Sequence, residues 1–330
     1  MLLRILLLLL LSTSLAFAHT EETVVEQLDV GPGGNLVVDV SFGTVEVAPG
    51  SGDKVSVEAR RKIDMRDEAK ERQFLAEAPI VITKDGNTAV VRARRVDKRS
   101  WTWSGSINMD GQYTIRVPKN FNLDLTTGGG AIVAADINGS LKASTSGGKL
   151  KLSGMKGPID AKTSGGNITL AQCEGALNVK TSGGGIDARG GTGNLDARTS
   201  GGNIDVRDFK GDTVVKTSGG RLTFDNIGGR VLGETSGGSI SAGLVSPVPG
   251  DVELSSSAGS IEVSVPADAA LNIEARASSG TVSNSLPIVA TRQEREELRG
   301  AMNGGGKSMV LRANAGSVSL RAATGKTARQ

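Results

Sequence analysis

Few side chains in this chain of 330 residues are placed to do chemistry, and an acid pair is the first to consider. Asp187 and Asp205 stand 18 residues apart. If strands recur at that spacing, the two carboxylates stack on neighbouring strands roughly 5 Å apart. Acids at such separations can work as acid and base on a glycosidic bond, or share a cation. No third acid, tyrosine or histidine is spaced to join them, so the plainer reading is a solvated outer face. The chain has one histidine, His19, and one cysteine, Cys173. That excludes Ser-His and Cys-His nucleophiles, the usual zinc sites and an intrachain disulfide. A copper site built on His19 needs a second histidine, which the chain lacks. No metal or cofactor is expected, and Cys173 reads as a small core residue.

Two cationic features suit binding rather than catalysis. Lys162, Lys180, Arg198 and Lys216 recur every 18 residues and form an outward basic stripe on stacked strands, followed at the next step by Glu234. Such a stripe fits anionic glycans or other polyanions, although exposed charge also keeps sheets from associating. The second feature runs from Arg92 to Gly105, where Trp101 and Trp103 sit beside Arg94, Arg95, Lys98 and Arg99. Two residues apart on a strand, the tryptophans share one face. Exposed, they make a stacking platform for a sugar ring or a partner side chain; buried, they close the end of the fold.

The elements that position these residues follow from one repeat. TSGG begins at Thr145, Thr163, Thr181, Thr199, Thr217 and Thr235, six copies at an unbroken spacing of 18. A fixed short period marks a solenoid whose units cannot bury their apolar faces alone. The sixth position is always aliphatic (Leu150, Ile168, Ile186, Ile204, Leu222, Ile240), and the eighth alternates with it on one face. The fifteenth and seventeenth positions form a second alternating strand (Leu177 and Val179, for example). Period two is the spacing of a strand with one buried face. Counting on by two from position seventeen reaches the TSGG threonine, whose hydroxyl therefore points inward. Each copy reads as strand, glycine turn, strand, turn: one rung of a parallel β-solenoid, single-stranded or roll-like.

Looser copies extend the ladder. Ser256–Ile261 and Ala277–Val282 follow at steps of 21 residues, and Asn314–Val318 closes the series. Thr126–Gly129 precedes the regular run, and Ser41–Val45 looks like an isolated earlier copy. Val117-Pro118 followed by Leu123 and Leu125 is echoed by Val265-Pro266 followed by Leu271 and Ile273. Some ten rungs make a rod on the order of 45–50 Å long. Residues 19–118 alternate like strands, with one helical interruption near 65–78, and are expected to cap the solenoid edge. Residues 119–321 are the solenoid, 291–307 a charge-rich exposed helical turn or loop, and 322–330 a frayed tail.

The SFGTVEV opening (Ser41 to Val47), the RVPKNFNLDLTTGGG passage (Arg116 to Gly130) and the TSGGxI repeats resemble the bacterial putative-adhesin family of β-strand-repeat envelope proteins, catalogued as a domain of unknown function. The resemblance spans nearly the whole chain after residue 18. It implies an exported β-solenoid without established enzymatic activity, and offers no catalytic residues to carry over.

Residues 1–18 read as a signal peptide: Arg4, an apolar run from Ile5 to Leu11, and a small-x-small cleavage site at Ala16-Phe17-Ala18. The run is too short to span a bilayer, so the expected location is the periplasm or the cell surface. A formal charge of +3 does not suit nucleic acid. Forty-six glycines and only six Phe, two Trp and one Tyr suit thin rungs rather than a thick core. The function expected is a non-enzymatic binding or structural module of the envelope, contacting anionic glycans, other polyanions or surface proteins. The alternatives are a polysaccharide-cleaving β-helix enzyme using Asp187 and Asp205, and a scaffold that binds only proteins.

Overall fold

The computed structural model describes residues 20–64, 67–94 and 108–323. The expected leader, His19, Trp101 and Trp103, Arg95, Lys98 and Arg99, and most of the tail lie outside those residues. What is described is all-β apart from the helix Glu68–Glu77.

Two sheets of 14 and 15 strands face one another, and twelve strands of each pair off as rungs. Within the regular run the register is i to i+18: Leu150 lies beside Ile168, Leu141 beside Ile159, and Thr145 beside Thr163. Alternate residues of each strand turn inward, as in Ile168-Thr169-Leu170-Ala171, whose aliphatic pair is buried while Thr169 and Ala171 are half-buried. Because the period equals one rung, every inward position stacks on the same position of the next rung, and the buried side chains form one continuous apolar core. The TSGG threonines face inward as expected, each no more than 7% exposed.

At the opposite corner the tenth position is left-handed in rung after rung: Gly154 and Gly190 have φ of 59° and 65°, Gln172 and Asp208 of 53° and 52°. The next inward position holds Met155, Cys173 and Phe209, all buried, and Gly191 between them. A Cβ on Gly191 would lie 2.4 Å from the Phe209 ring, so the large side chain occupies the space the small one leaves.

Both ends depart from the order of the chain. The rung Asn35–Val40 and Thr44–Pro49 sits between the rung Thr88–Ala93 and Asn108–Val117 on one side and the rung Asn122–Thr127 and Ile132–Ala135 on the other. At the far end, Lys307–Ala313 and Val318–Ala322 lie between the rung containing Val252–Ser256 and the rung containing Leu271–Ala277. Two expectations are corrected: the copy at Ser41–Val45 is an integral rung, and the copy at Asn314–Val318 is the penultimate layer, not the last. The repeated Val-Pro passages mark these places. After Val117 and after Val265 the chain skips one layer, and a terminal segment fills the gap.

The stretch 291–307 is also not a helical turn. Ile288–Gln293 and Glu297–Met302 form an antiparallel hairpin that lengthens one sheet, because Leu298 and Met302 still have core to cover. At the other end, strands Thr20–Leu28 and Val55–Asp64 extend one sheet and Val81–Asp85 the other. The helix packs there, its Phe74 ring 6.3 Å from Phe42 and its start capped by Asp67, which accepts from the Lys70 N–H at 3.2 Å.

Candidate functional site

The candidate residues occupy the outer faces of the two sheets and the corner where TSGG turns the chain. Lys162, Lys180, Arg198 and Lys216 do stack in register on adjacent strands. Three of the four are neutralised by carboxylates. Lys162 meets Asp160 at 3.0 Å, Arg198 grips Asp196 through two bonds of 2.7 Å, and Lys216 meets Glu234 at 2.7 Å. The Asp196 carboxylate pushes the Arg198 pKa up, by its hydrogen bond first and its charge second. Lys180 has no ion pair among the described residues. Two residues apart on a strand, acid and base share a face, so the alternation lowers the repulsion expected of stacked like charges. Alongside, a 380 Å³ depression is lined by Arg198, Lys216, Glu234 and the turn hydroxyls of Ser218 and Ser236.

Of the cations in the second cluster, Arg92 and Arg94 are described, and Arg94 stands just past the strand Thr88–Ala93. It pairs with Asp39 on the neighbouring strand. Ala93 aligns with Val40, and Val40 with Thr127 of the first TTGG corner. The strand Thr88–Ala93 of the outermost rung therefore ends at the TSGG corner, the corner beside which the basic stripe runs.

Asp187 and Asp205 face each other in register on the other sheet. Each is held by the arginine two residues on. Arg189 binds Asp187 through two 2.7 Å bonds, and Arg207 approaches Asp205 at 3.5 Å. The bond to Asp187 pushes the Arg189 pKa upward. This arrangement is two ion pairs on an open face, and no cluster of three or more potential metal ligands occurs among the described residues.

One buried polar group escaped the sequence reading. Arg61 points inward at the capped end with its side chain fully buried; its Nε donates to Glu22 at 3.1 Å and its guanidinium also reaches the Ala78 carbonyl. Glu71 on the helix accepts from Thr20 at 2.7 Å. Tyr113 lies in the same region with an unpartnered hydroxyl, its pKa pushed up to about 12, chiefly by burial. These contacts fasten the first strand and the helix over the end of the core. Arginine at an inward position of the strand Val55–Asp64 was the available signal, since that site otherwise takes apolar residues.

Cys173 is buried, with its thiol pKa raised by burial, as a core residue requires. No described helix is long and apolar enough to cross a membrane.

A search among curated proteins finds no match. Among solved structures the chain is similar to a putative cell adhesion protein from Clostridium sporogenes ATCC 15579, at 10% identity over 92% of this chain and 99% of that one, with a TM-score of 0.23. It is also similar to a putative adhesin from Bacteroides fragilis NCTC 9343, at 10% identity over 91% and 97%, TM-score 0.29. A third is a putative lipid binding protein from Parabacteroides distasonis ATCC 8503, at 13% identity over 90% and 96%, TM-score 0.29. Residues 34–321, the stretch from the first rung to the last inserted strand, match the Toastrack family of domains of unknown function (DUF4097), and the chain belongs to that family.

Proposed function

We propose that this protein is an exported, non-enzymatic module of the bacterial cell envelope that binds envelope glycans or other polyanions along one side of a rigid rod. The observation that carries the reading is the column Lys162, Lys180, Arg198 and Lys216, one cation per rung beside the TSGG corner, with Lys180 in no ion pair among the described residues. Each contact along such a column is weak, and a polymer that meets several at once binds through their sum. Export rests on the leader-like residues 1–18. A non-enzymatic role is supported by the arginine partners of Asp187 and Asp205, which make the two acids halves of surface ion pairs with no further catalytic group beside them.

The test is binding of the chain from His19 to Gln330 to a panel of envelope glycans and polyanions at low and high salt. Lys180→Glu and the double variant Trp101→Ala/Trp103→Ala are run alongside. Salt-sensitive binding weakened by Lys180→Glu supports the reading, and weakening by the double variant adds the tryptophan cluster to the site. Binding only to proteins, indifferent to polyanions, makes it a scaffold. Cleavage products lost in Asp187→Asn and Asp205→Asn make it an enzyme.

A further inference from the structure

In the regular run the outward residue at the middle of each strand is polar, with two exceptions that are neighbours. On the sheet that carries the basic stripe this column reads Lys142, Asp160, Asn178 and Asp196, then Val214 and Leu232, then Glu253. The matching column of the other sheet stays polar from Lys151 to Glu262. Val214 and Leu232 lie in register on the strands Thr213–Thr217 and Val231–Thr235, half-buried although they point away from the core. Charges frame the pair. Asp212 and Lys216 stand two residues either side of Val214, and Arg230 and Glu234 two either side of Leu232. The basic column thus turns acidic at the step where the column across the patch turns from acid to base. Four charges of alternating sign mark the corners of a rectangle of about 5 by 14 Å.

We propose that this patch is a docking site for a second copy of the chain, sheet face against sheet face, about a two-fold axis that lies between the two strands and runs along them. The proposal goes beyond the reading above, since it names a protein partner where that reading names a polymer. A two-fold contact has to be complementary to itself. This axis sets Asp212 opposite Arg230 of the second copy and Lys216 opposite its Glu234, so every charge meets its opposite, and Val214 packs on Leu232, small against large. A column of one sign, such as the basic stripe before this step, would repel its own copy.

The charges within one chain leave room for that partner. Lys216 and Glu234 already pair at 2.7 Å, and docking joins two such pairs into a ring of four charges. Neither Asp212 nor Arg230 has an ion pair among the described residues; the Asp212 carboxylate accepts only the Arg230 backbone N–H, at 3.0 Å. The flanking acids are already held, Asp196 by Arg198 at 2.7 Å and Glu253 by Arg312 at 2.9 Å. Facing sheets pack about 10 Å apart, a gap that charged side chains reaching from both sides can bridge. Six side chains a copy fall short of the roughly 20–30 residues of a stable interface, so the dimer is a weak one.

Sedimentation velocity of the chain from His19 to Gln330, between about 10 μM and about 1 mM, tests this, with the thermal transition of each variant recorded alongside. Leu232→Lys should weaken association about tenfold or more, and the fold should tolerate it, since Lys142 stands in the same column. Asp212→Arg and Arg230→Asp each set like charges across the contact and should each weaken it about tenfold. Mixing those two single variants brings opposite charges together again, and should restore a dimer containing one copy of each. Lys180→Glu should leave association unchanged. A parent chain that stays monomeric throughout, association indifferent to Leu232→Lys, or a mixture that stays monomeric overturns the proposal. Polyanion binding by a chain that never dimerises overturns it and leaves the proposed function standing; dimers that form as described without polyanion binding uphold it and remove that function.

Discussion

The Thr163 hydroxyl donates to the Gly148 carbonyl of the preceding rung at 2.9 Å, and accepts from the Gly166 N–H of its own turn at 3.2 Å. The same two bonds recur at every TSGG corner, so each threonine both shapes its turn and ties it to the layer before. Gly148 and Gly166 are themselves stacked, one turn glycine directly above another.

Thr181 offers the cleanest measure of that tie. Its hydroxyl donates to Gly166 at 2.9 Å and accepts from Gly184 at 3.3 Å. Thr181→Val keeps the shape, strips a buried carbonyl of a donor, and is expected to destabilise by about 1–3 kcal/mol. Thr181→Ser should lose less than half of that, because Ser256 already fills this position, donating to Gly238 at 2.9 Å. Urea unfolding that finds Thr181→Val as stable as the parent would show that the ladder contributes nothing.

The two glycines of TSGG carry different constraints. A Cβ on Gly166 would lie 1.9 Å from the Gly148 carbonyl oxygen, whereas one on Gly165 meets nothing closer than 3.9 Å. Gly166→Ala therefore forces adjacent rungs apart and should cost about 3 kcal/mol or more, while Gly165→Ala should stay within about 1 kcal/mol. The chain supports the second half itself, with Ala258 and Ala315 at that first position. Equal thermal shifts for the two variants would refute the stacking argument.

Tyr113 sets a pH dependence. Its phenol holds the proton more tightly in the folded chain, with a pKa pushed to about 12 against an unfolded value near 10. The associated stability is full below pH 10 and is lost as pH rises through about 12. Tyr113→Phe should flatten that alkaline decline. At pH 7 it should change stability by less than about 1 kcal/mol, because the hydroxyl has no partner to lose. Stability profiles of the two proteins that remain parallel from pH 9 to 12 would contradict this.

The inserted last segment predicts a division of stability. A chain ending at Asn303 lacks Lys307–Ala313 and Val318–Ala322, and so leaves an empty layer between Val252–Ser256 and Leu271–Ala277. Amide exchange should then lose protection in 271–302 and keep it between Leu141 and Gly243. Protection retained in 271–277 would mean that the neighbouring layers close without the inserted one.

The middle of the fold was legible because one period sets register, facing and stacking together: once Ile168 is known to point inward, Ile186 and Ile204 must as well. The ends were not. Val40 and Ala93 pair across 52 intervening positions with no periodic trace, and the Val-Pro echo announces a recurring connection without saying that it skips a layer. The hairpin 288–302 buries little beyond Glu297, Leu298 and Met302, too little to give an alternating pattern. The pairing of Asp187, Asp196 and Asp205 with arginines was readable, since each stands two residues before one, at the spacing that puts both on one strand face.

Because the exchanged layers are confined to the two ends, the interior is free to vary in whole steps. Removing or duplicating one 18-residue unit between Thr145 and Thr235 changes the rod by about 4.8 Å and leaves both terminations as they were. Length is thus a counted quantity in this protein, adjustable like the marks on a ruler, while the layers at the two ends stay the same.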